Sequence, residues 1–285
     1  MVRVVEPLLG TRAEVHCTDV SNSGVNCDEI ERSVIDEVRR LEVIFTVFEP
    51  KSALNQLRQS GSTTVPELTE VVELARHWIE RSGGAFDPRT QRLMQLWDQA
   101  EIDGVVPTPK AIDQARAASS STTDNLNAIA KGWIAQAAVE HGCRIGHEVT
   151  GMWLSLGGDV VHRGTDSVTV GIEDPHRPYD NVAPMATLTL ENAAVATSGG
   201  SRRWWTIDGV RYPKVLDPRS GRPTEVLAGA TVWAPDAATA DVLATIALVA
   251  DVDATLALAA EAGAECLLVH PDRSRTCTSN RFQMT

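Results

Sequence analysis

Apolar residues spaced three or four positions apart predict amphipathic helices in two long segments of the first third of the chain. The first spans residues 28–45. The second begins at Pro66, because proline is favoured at the first helical position, and closes at Gly83 and Gly84. The residues expected to face the core are Ile30, Val34, Val38, Leu41 and Phe45 in the first helix and Leu68, Val71, Val72, Ala75 and Ile79 in the second.

Shorter segments predict further helices and the connections between them. Residues 45–57 are expected to form a loop in which Pro50 prevents helix continuation. A short helix is expected around Ile112, another over residues 133–142 that ends at Gly142, and a third over residues 254–262. The polar segment 119–124 is the best candidate for an internal linker, although it is too short to separate two domains by itself.

Apolar runs bounded by turn residues predict β-strands in several places. The first strand region, residues 2–15, is interrupted by Leu9, Gly10 and Thr11, a corner where backbone can approach a ligand or simply bulge. One later strand alternates apolar residues with threonines, so one of its faces is expected to meet solvent. The further predicted strands are residues 152–156, 168–172, 185–190, 193–197 and 266–270.

Residues 212–250 combine a turn, a strand and a helix, and they carry the most suggestive polar pair. Asp236 follows Pro235 and is expected to cap a helix that runs to about residue 250. Asp241 and Thr245 are four positions apart, which places them on one helix face. Two such oxygen ligands suit Mg²⁺, but the spacing by itself is explained better by a solvated acid beside a threonine at the core edge.

Composition and charge exclude several classes of function. The formal net charge is −12, so a nucleic-acid-binding surface is not expected. No apolar stretch is long enough to span a bilayer, and residues 1–15 lack a signal region, so we expect a cytoplasmic protein without a membrane span. The five cysteines show no CxxC spacing and the seven histidines do not cluster, which argues against a zinc site or a disulfide framework.

Two small-residue motifs carry candidate chemistry near predicted element ends. Lys131 follows small residues near a helix start, where backbone N–H groups can receive a phosphate, although the order of residues is not that of a P-loop. Gly157 and Gly158 permit close backbone approach, and Asp159 can accept hydrogen bonds from a polar heterocycle. A plain β-turn explains the second motif equally well.

Eight short motifs occur in an order that resembles the FAD:protein FMN transferase family, also called the ApbE type. The resemblance covers about residues 9–270, and its most specific parts are the turn at residues 217–221 and the helix motif at residues 240–245. The motifs are Leu-Gly-Thr at 9–11, Phe-Asp-Pro at 86–88, Ile-Ala-Lys-Gly at 129–132, Leu-Gly-Gly-Asp at 156–159, Gly-Ile-Glu-Asp-Pro at 171–175, Ala-Thr-Ser-Gly at 196–199, Leu-Asp-Pro-Arg-Ser-Gly-Arg-Pro at 216–223 and Ala-Asp-Val-Leu-Ala-Thr at 240–245.

The resemblance implies a Mg²⁺-dependent enzyme that cleaves the diphosphate of FAD, attaches FMN to a threonine of a partner flavoprotein and releases AMP. It also implies an α+β fold in which mixed, largely antiparallel sheets are packed against outer helices. We therefore expect one domain over residues 1–270, followed by a polar, frayed tail over residues 271–285.

The resemblance assigns roles to individual residues of this chain. Asp241, Thr245 and the backbone carbonyl of Ala130 match the family's metal ligands. Lys214 and Asp217 lie on the motif that carries the family's candidate base and its Asp-Pro acid. The residues expected to bind FAD are Leu9, Gly10, Thr11, Asp87, Lys131, Gly157, Gly158, Asp159, Asp174, Thr197, Ser198 and Gly199.

Five positions depart from the family pattern. Asn125, Asn127 and Ala128 stand where the family has an acid and two glycines. Lys214 replaces a histidine and Leu9 a methionine. Because a lysine acts as a base only when its surroundings favour the uncharged amine, two alternatives stay open: an FAD pyrophosphatase that yields FMN and AMP, and a catalytically weak FAD-binding or carrier protein.

Overall fold

The computed structural model describes residues 2–18, 26–119, 126–146, 149–179, 181–200 and 203–285. The helices are α1 (Cys27–Phe45), α2 (Ala53–Ser60), α3 (Pro66–Arg81), α4 (Gln91–Asp103), α5 (Pro109–Ala118), α6 (Asn127–Ile145), α7 (Ala237–Ala247) and α8 (Val252–Glu261). The strands are β1 (Arg3–Leu8), β2 (Thr11–Thr18), β3 (Gly151–Leu156), β4 (Asp159–Gly164), β5 (Val168–Ile172), β6 (Ala186–Leu190), β7 (Ala194–Gly199), β8 (Trp204–Ile207), β9 (Val210–Pro213), β10 (Leu216–Asp217), β11 (Arg222–Pro223), β12 (Gly229–Ala234), β13 (Glu265–Val269), β14 (Arg275–Cys277) and β15 (Gln283–Met284).

The largest sheet has eight strands in the order β1-β2-β3-β4-β7-β12-β13-β14. Smaller sheets are β15-β6-β5, β8-β9 and β10-β11. Every strand pair in the described ranges is antiparallel. The expected α+β fold with largely antiparallel sheets is confirmed.

Both faces of the large sheet are covered, and alternate residues of one strand enter different cores. On β4, Val161 joins the core formed with α1, α6 and α7, whereas Val160 faces the smaller sheet β15-β6-β5. Leu268 and Leu267 of β13 divide in the same way. Because both sides of these strands are buried, their sequences are continuous apolar runs.

Helices α6 and α7 lie against the sheet and each other, and their composition reflects this burial. In α7 nearly every residue is buried, in keeping with the rule that a helix apolar on all sides lies inside a protein. Asp236 caps the helix as expected, since its Oδ1 accepts the Thr239 N–H at 2.8 Å. The helix ends at Ala247, a few residues before the expected position.

A separate aromatic core joins α4 and α5 to the β8-β9 hairpin. Trp97, Trp205 and Ile112 are buried at its centre. The ring centroids of Trp97 and Trp205 lie 5.7 Å apart, and the Trp97 Nε1–H donates to the Gly221 carbonyl at 3.0 Å. This core therefore attaches the turn between β10 and β11 to helix α4.

Two expectations about local structure are wrong. Residues 53–57 of the expected loop over residues 45–57 are helical, because Ser52 accepts the Asn55 N–H at 3.1 Å and starts α2. Helix α6 does not end at Gly142 but continues to Ile145. A Cβ at Gly142 would lie 2.4 Å from Met152 Sδ, so this glycine permits close packing of the helix on the sheet.

The C-terminal segment is also more ordered than expected. Strand β14 pairs with β13, and β15 pairs with β6. Phe282 is buried in the core between the large sheet and β6. The predicted linker at residues 119–124 lies outside the described residues, apart from Ser119. Among the helices described, none is long and apolar enough to cross a membrane.

Candidate active site

A lysine and two buried carboxylates meet where α6, β4 and α7 converge, and we call Lys131, Asp159 and Asp241 the charged centre. The Lys131 ammonium lies directly against Asp159 Oδ2, and its Nζ is 4.0 Å from Asp241 Oδ1. Asp159 is 4% exposed and Asp241 is 5% exposed. Asp241 is therefore not the solvated acid that its sequence position alone favours.

Backbone donors complete the charged centre. The Thr197 N–H donates to Asp159 Oδ1 at 3.1 Å, and the Gly132 N–H donates to Asp241 Oδ2 at 3.2 Å. A Cβ at Gly132 would lie 2.4 Å from the carbonyl oxygen of Ala237, so only glycine allows α7 to approach α6 this closely. The local sequence of α6 thus brings Asp241 beside Lys131.

Burial determines the protonation behaviour of the charged centre. Desolvation raises the pKa of Asp159, and it raises the pKa of Asp241 to about 7 even though Lys131 acts in the opposite direction. Burial lowers the pKa of Lys131, but the charges of Asp241 and Asp159 outweigh that effect and give a net rise. With both acids ionised, one ammonium faces two carboxylates, and a further cation would be stabilised nearby.

The three expected ligands, a carboxylate, a hydroxyl and a backbone carbonyl, are of the oxygen type that suits a hard divalent cation. Thr245 lies one helical turn after Asp241 on α7 and lines the cavity described below. Ala130, whose carbonyl is the expected third ligand, is buried in α6 next to Lys131. No group of three His, Cys, Asp or Glu side chains among the described residues could hold a metal. A cation here would depend on hydroxyl, carbonyl, water or substrate oxygens, as Mg²⁺ commonly does.

Two adjoining cavities are lined by Thr197, whose N–H donates to Asp159 of the charged centre. Lys131, Asp159 and Asp241 are not among the described residues that line them. The first, of 360 Å³, is lined by Asp87, Lys214 and Thr245 among others. The second, of 480 Å³, is lined by the Gly157 and Gly158 turn and by strand residues of β12. Within the part of the chain that the structure describes, the residues that line both cavities are Thr197, Ser198, Gly199 and Arg203. The predicted site residues of β7 thus form the boundary between two spaces of ligand size.

The two predicted hairpin turns lie next to each other. Leu9 and Gly10 have φ of 50° and 69°, which is the positive-φ pair of a two-residue hairpin turn between β1 and β2. A Cβ at Gly157 would lie 2.9 Å from Thr11 Oγ1, so glycine is required where this turn meets the next hairpin. Thr11 therefore contacts the glycine turn of the second cavity, and Leu9 and Gly10 form the hairpin turn that precedes it.

The two candidate catalytic residues differ in their contacts. Lys214 lines the first cavity, and its Nζ lies 3.2 Å from Asp98 Oδ1 and 3.7 Å from Glu101 Oε2. Asp217 instead accepts hydrogen bonds at 2.9 Å from both the N–H and the Nε–H of Arg219. Its carboxylate closes the turn between β10 and β11, and it is the flanking residues that line the cavity.

Two further predicted FAD-binding acids are held by their own turns. Asp87 lines the first cavity while its Oδ1 accepts the Arg89 N–H at 2.9 Å and the Arg89 Nε–H at 2.8 Å. Asp174 Oδ1 accepts the His176 N–H at 2.9 Å. Its neighbour Glu173 lines the second cavity, whereas Asp174 is not among the described residues that line either cavity.

Sequence reasoning missed the residues around Lys214. Asp98 Oδ1 contacts Lys214 and also accepts the Trp205 Nε1–H at 2.8 Å. The Lys214 Nζ lies 5.4 Å from the centroid of the Trp205 ring. We call Lys214, Asp98, Glu101 and Trp205 the rim cluster. Asp98 is 116 positions from Lys214, so spacing gave no signal for it. Arg203, at the boundary of both cavities, was also missed.

Comparisons with known proteins agree with this arrangement. The family model described as the ApbE family matches residues 9–268. A protein named FAD:protein FMN transferase from Treponema pallidum is 27% identical over 248 residues, which cover 73% of this chain and 67% of that protein. A protein of the same name from Vibrio cholerae is 27% identical over 274 residues, covering 86% of this chain and 80% of its own.

Solved structures show the same fold. The ApbE protein of Thermotoga maritima superposes with a TM-score of 0.82 at 23% identity, covering 98% of this chain and 97% of that one. The flavinyl transferase ApbE of Pseudomonas stutzeri gives a TM-score of 0.75 at 23% identity, covering 100% and 94%. Since the family match spans nearly the whole chain and the fold agrees, the protein is a member of the ApbE family.

Proposed function

We propose that this protein transfers FMN from FAD to a threonine hydroxyl of a partner flavoprotein, uses Mg²⁺, and releases AMP. Membership of the ApbE family and relatives named FAD:protein FMN transferase support the transfer. The observation that carries the proposal is the charged centre beside two adjoining cavities. An acidic protein needs such a local arrangement of cations and backbone donors before it can bind a diphosphate.

The oxygen atoms of Asp241, Thr245 and Ala130 would hold the metal. When bound, Mg²⁺ neutralises charge on phosphate oxygens and on the departing AMP. In its presence Asp241 stays ionised, since a cation favours the carboxylate form against the desolvation that raises the pKa of this group. The Gly132 N–H fixes the orientation of the carboxylate.

The remaining residues of the charged centre orient the site. Asp159 and Asp241 hold the Lys131 ammonium in place, and the pKa of Lys131 is raised, so it stays charged at neutral pH. Thr197, Ser198 and Gly199 present a fixed wall, because each pairs with β12 in the large sheet and the Thr197 N–H also donates to Asp159. Substrate positioning of this kind lowers the barrier for phosphoryl transfer without covalent chemistry by the protein.

FAD hydrolysis is the second candidate, and the rim cluster favours it. The carboxylates of Asp98 and Glu101 and the face of Trp205 all interact favourably with a charged lysine. These contacts hold Lys214 where the family pattern has a histidine, so the rim cluster lacks the imidazole that is the candidate base for a threonine hydroxyl. In hydrolysis, water takes the place of that hydroxyl.

Incubation with FAD, Mg²⁺ and a threonine-containing flavoprotein domain separates these functions. Mass spectrometry should show FMN covalently attached to the domain, with AMP in solution. Free FMN and AMP without an adduct would establish hydrolysis instead, and unchanged FAD would contradict both enzymatic functions. The Asp241→Asn variant is the matched control and should leave FAD intact.

A further inference from the structure

Arg203 is placed differently from every other residue around the two cavities. Of the described residues that line both of them, Arg203 alone is charged. Its backbone is held in the hairpin, where its carbonyl accepts the Lys214 N–H at 3.0 Å. Arg203 is exposed, so its side chain can reach a ligand in either space.

Among the described residues, the guanidinium of Arg203 has no acidic partner. Within the described ranges no ion pair or side-chain hydrogen bond involves it, although most arginines near the site are paired, as Arg89 is with Asp87 and Arg219 with Asp217. Arg203 also lies close enough to Lys131 for the two positive charges to oppose each other. Lys131 is paired with acids, whereas its cationic neighbour Arg203 is not paired among the described residues. An unpaired positive charge beside a second cation is the arrangement expected at an anion-binding site.

The shape of the ligand implied by the proposed function indicates which anion belongs there. FAD has two ring systems joined by a diphosphate. Cavities of 360 and 480 Å³ that meet along one wall suit two such halves. The diphosphate must then cross the boundary where both cavities share Arg203.

On the basis of the proposed function, we propose that Arg203 binds the diphosphate of the dinucleotide and determines the preference for FAD over flavins without phosphate. Arginine suits this role, because its planar fork can donate two parallel hydrogen bonds to phosphate oxygens. Being on the boundary, Arg203 also selects ligands that occupy both cavities rather than one.

The test compares FAD with riboflavin, which has the same ring system but no phosphate. Affinities are measured from flavin fluorescence in the presence of Mg²⁺ for the full-length protein and for the Arg203→Ala and Arg203→Lys variants. Arg203→Ala should weaken FAD binding at least about tenfold and leave riboflavin binding unchanged. Arg203→Lys should give a smaller loss, since lysine keeps the charge but not the fork.

Arg211→Ala is the matched control, because Arg211 is an exposed arginine of the same hairpin that lines neither cavity. It should bind FAD as the unmodified protein does, and all three variants should keep the same unfolding midpoint. Unchanged FAD affinity in Arg203→Ala would overturn the inference. An equal loss of riboflavin and FAD would overturn it as well, since the role would then be structural.

The result also separates this inference from the proposed function. If the unmodified protein does not bind FAD, both fail. If FAD binding depends on Arg203 but no FMN reaches an acceptor and no AMP is released, the proposed function fails and the diphosphate contact stands.

Discussion

The charged centre and the rim cluster each place one lysine against two carboxylates, yet their burial differs. The side chains of Asp159 and Asp241 are 5% and 7% exposed, whereas those of Asp98 and Glu101 are 53% and 35% exposed. Solvent screens the rim cluster, and such surface pairs contribute about 0 to 1 kcal/mol. In the charged centre the same charges are desolvated, and two carboxylates face one ammonium. The excess negative charge therefore favours the binding of a further cation.

This difference in burial determines how strongly each region depends on its charged side chains. At the rim, loss of one charge is accommodated at little energetic cost, because solvent screens the exposed groups that remain. A change in the charged centre would leave a buried charge without a partner, which typically costs about 3 to 5 kcal/mol. The comparison therefore predicts large effects at Asp241 and small ones at Asp98.

The largest expected effect is loss of activity in Asp241→Asn. The amide keeps the shape of the side chain but removes the charge that would hold a metal. FAD turnover with Mg²⁺, measured as AMP release, should fall at least about 100-fold, or roughly 3 kcal/mol of transition-state stabilisation. Asp98→Asn is the matched control from the rim cluster. A loss of less than about tenfold in Asp241→Asn would contradict the comparison.

The pH dependence of stability tests the buried acid directly. The pKa of Asp241 is about 7 in the folded protein against an ordinary value of 3.8, so the folded state binds more protons between these values. Without metal, the free energy of unfolding should therefore decrease as pH rises from about 4 to about 7, by at most about 4 kcal/mol from this group. Denaturant unfolding of Asp241→Asn should show a shallower decrease; an unchanged slope would count against the buried charge.

Packing between α6 and α7 should give a smaller effect. In Gly132→Ala the new Cβ would overlap the Ala237 carbonyl, so α7 must shift and Asp241 must move with it. We expect a loss of about 1 to 3 kcal/mol in denaturant unfolding, together with weaker Mg²⁺-dependent activity. If both stability and activity stayed at the level of the unmodified protein, the close approach of the helices would not matter.

The smallest expected effect on stability is at the rim. Lys214→His should change the free energy of unfolding by less than about 1 kcal/mol, since only exposed pairs are lost. If the absence of a base limits transfer, this variant should increase the yield of the FMN adduct on an acceptor domain, measured by mass spectrometry. An unchanged yield would show that Lys214 does not limit the reaction.

Periodicity predicted the regular elements well because burial imposes it directly. In α1 the buried positions from Ile30 to Phe45 recur every three or four residues, and in β6 they recur every second residue. Gly142 was misinterpreted as a helix end because the same residue also permits close packing, and a sequence does not distinguish these uses. The tail was judged by its polarity, whereas Phe282 anchors it in a core formed by distant strands.

The site was only partly predictable for a similar reason. Asp241 and Thr245 are neighbours on one helix, so their spacing already places them together. Lys131 and Asp159 belong to different elements, and only the motif order of the family linked them to Asp241. Asp98 and Arg203 carry no local signal, because their roles arise from tertiary contacts with Lys214 and with the two cavities.

If the charged centre holds the catalytic cation, Mg²⁺ should stabilise the folded protein through Asp241, and a titration with Mg²⁺ measures this. The thermal unfolding midpoint is followed as Mg²⁺ is added in the presence of FAD. The unfolding midpoint should rise for the unmodified protein and for Asp98→Asn, and it should stay constant for Asp241→Asn. A rise in Asp241→Asn equal to that of the unmodified protein would contradict binding of the cation at the charged centre.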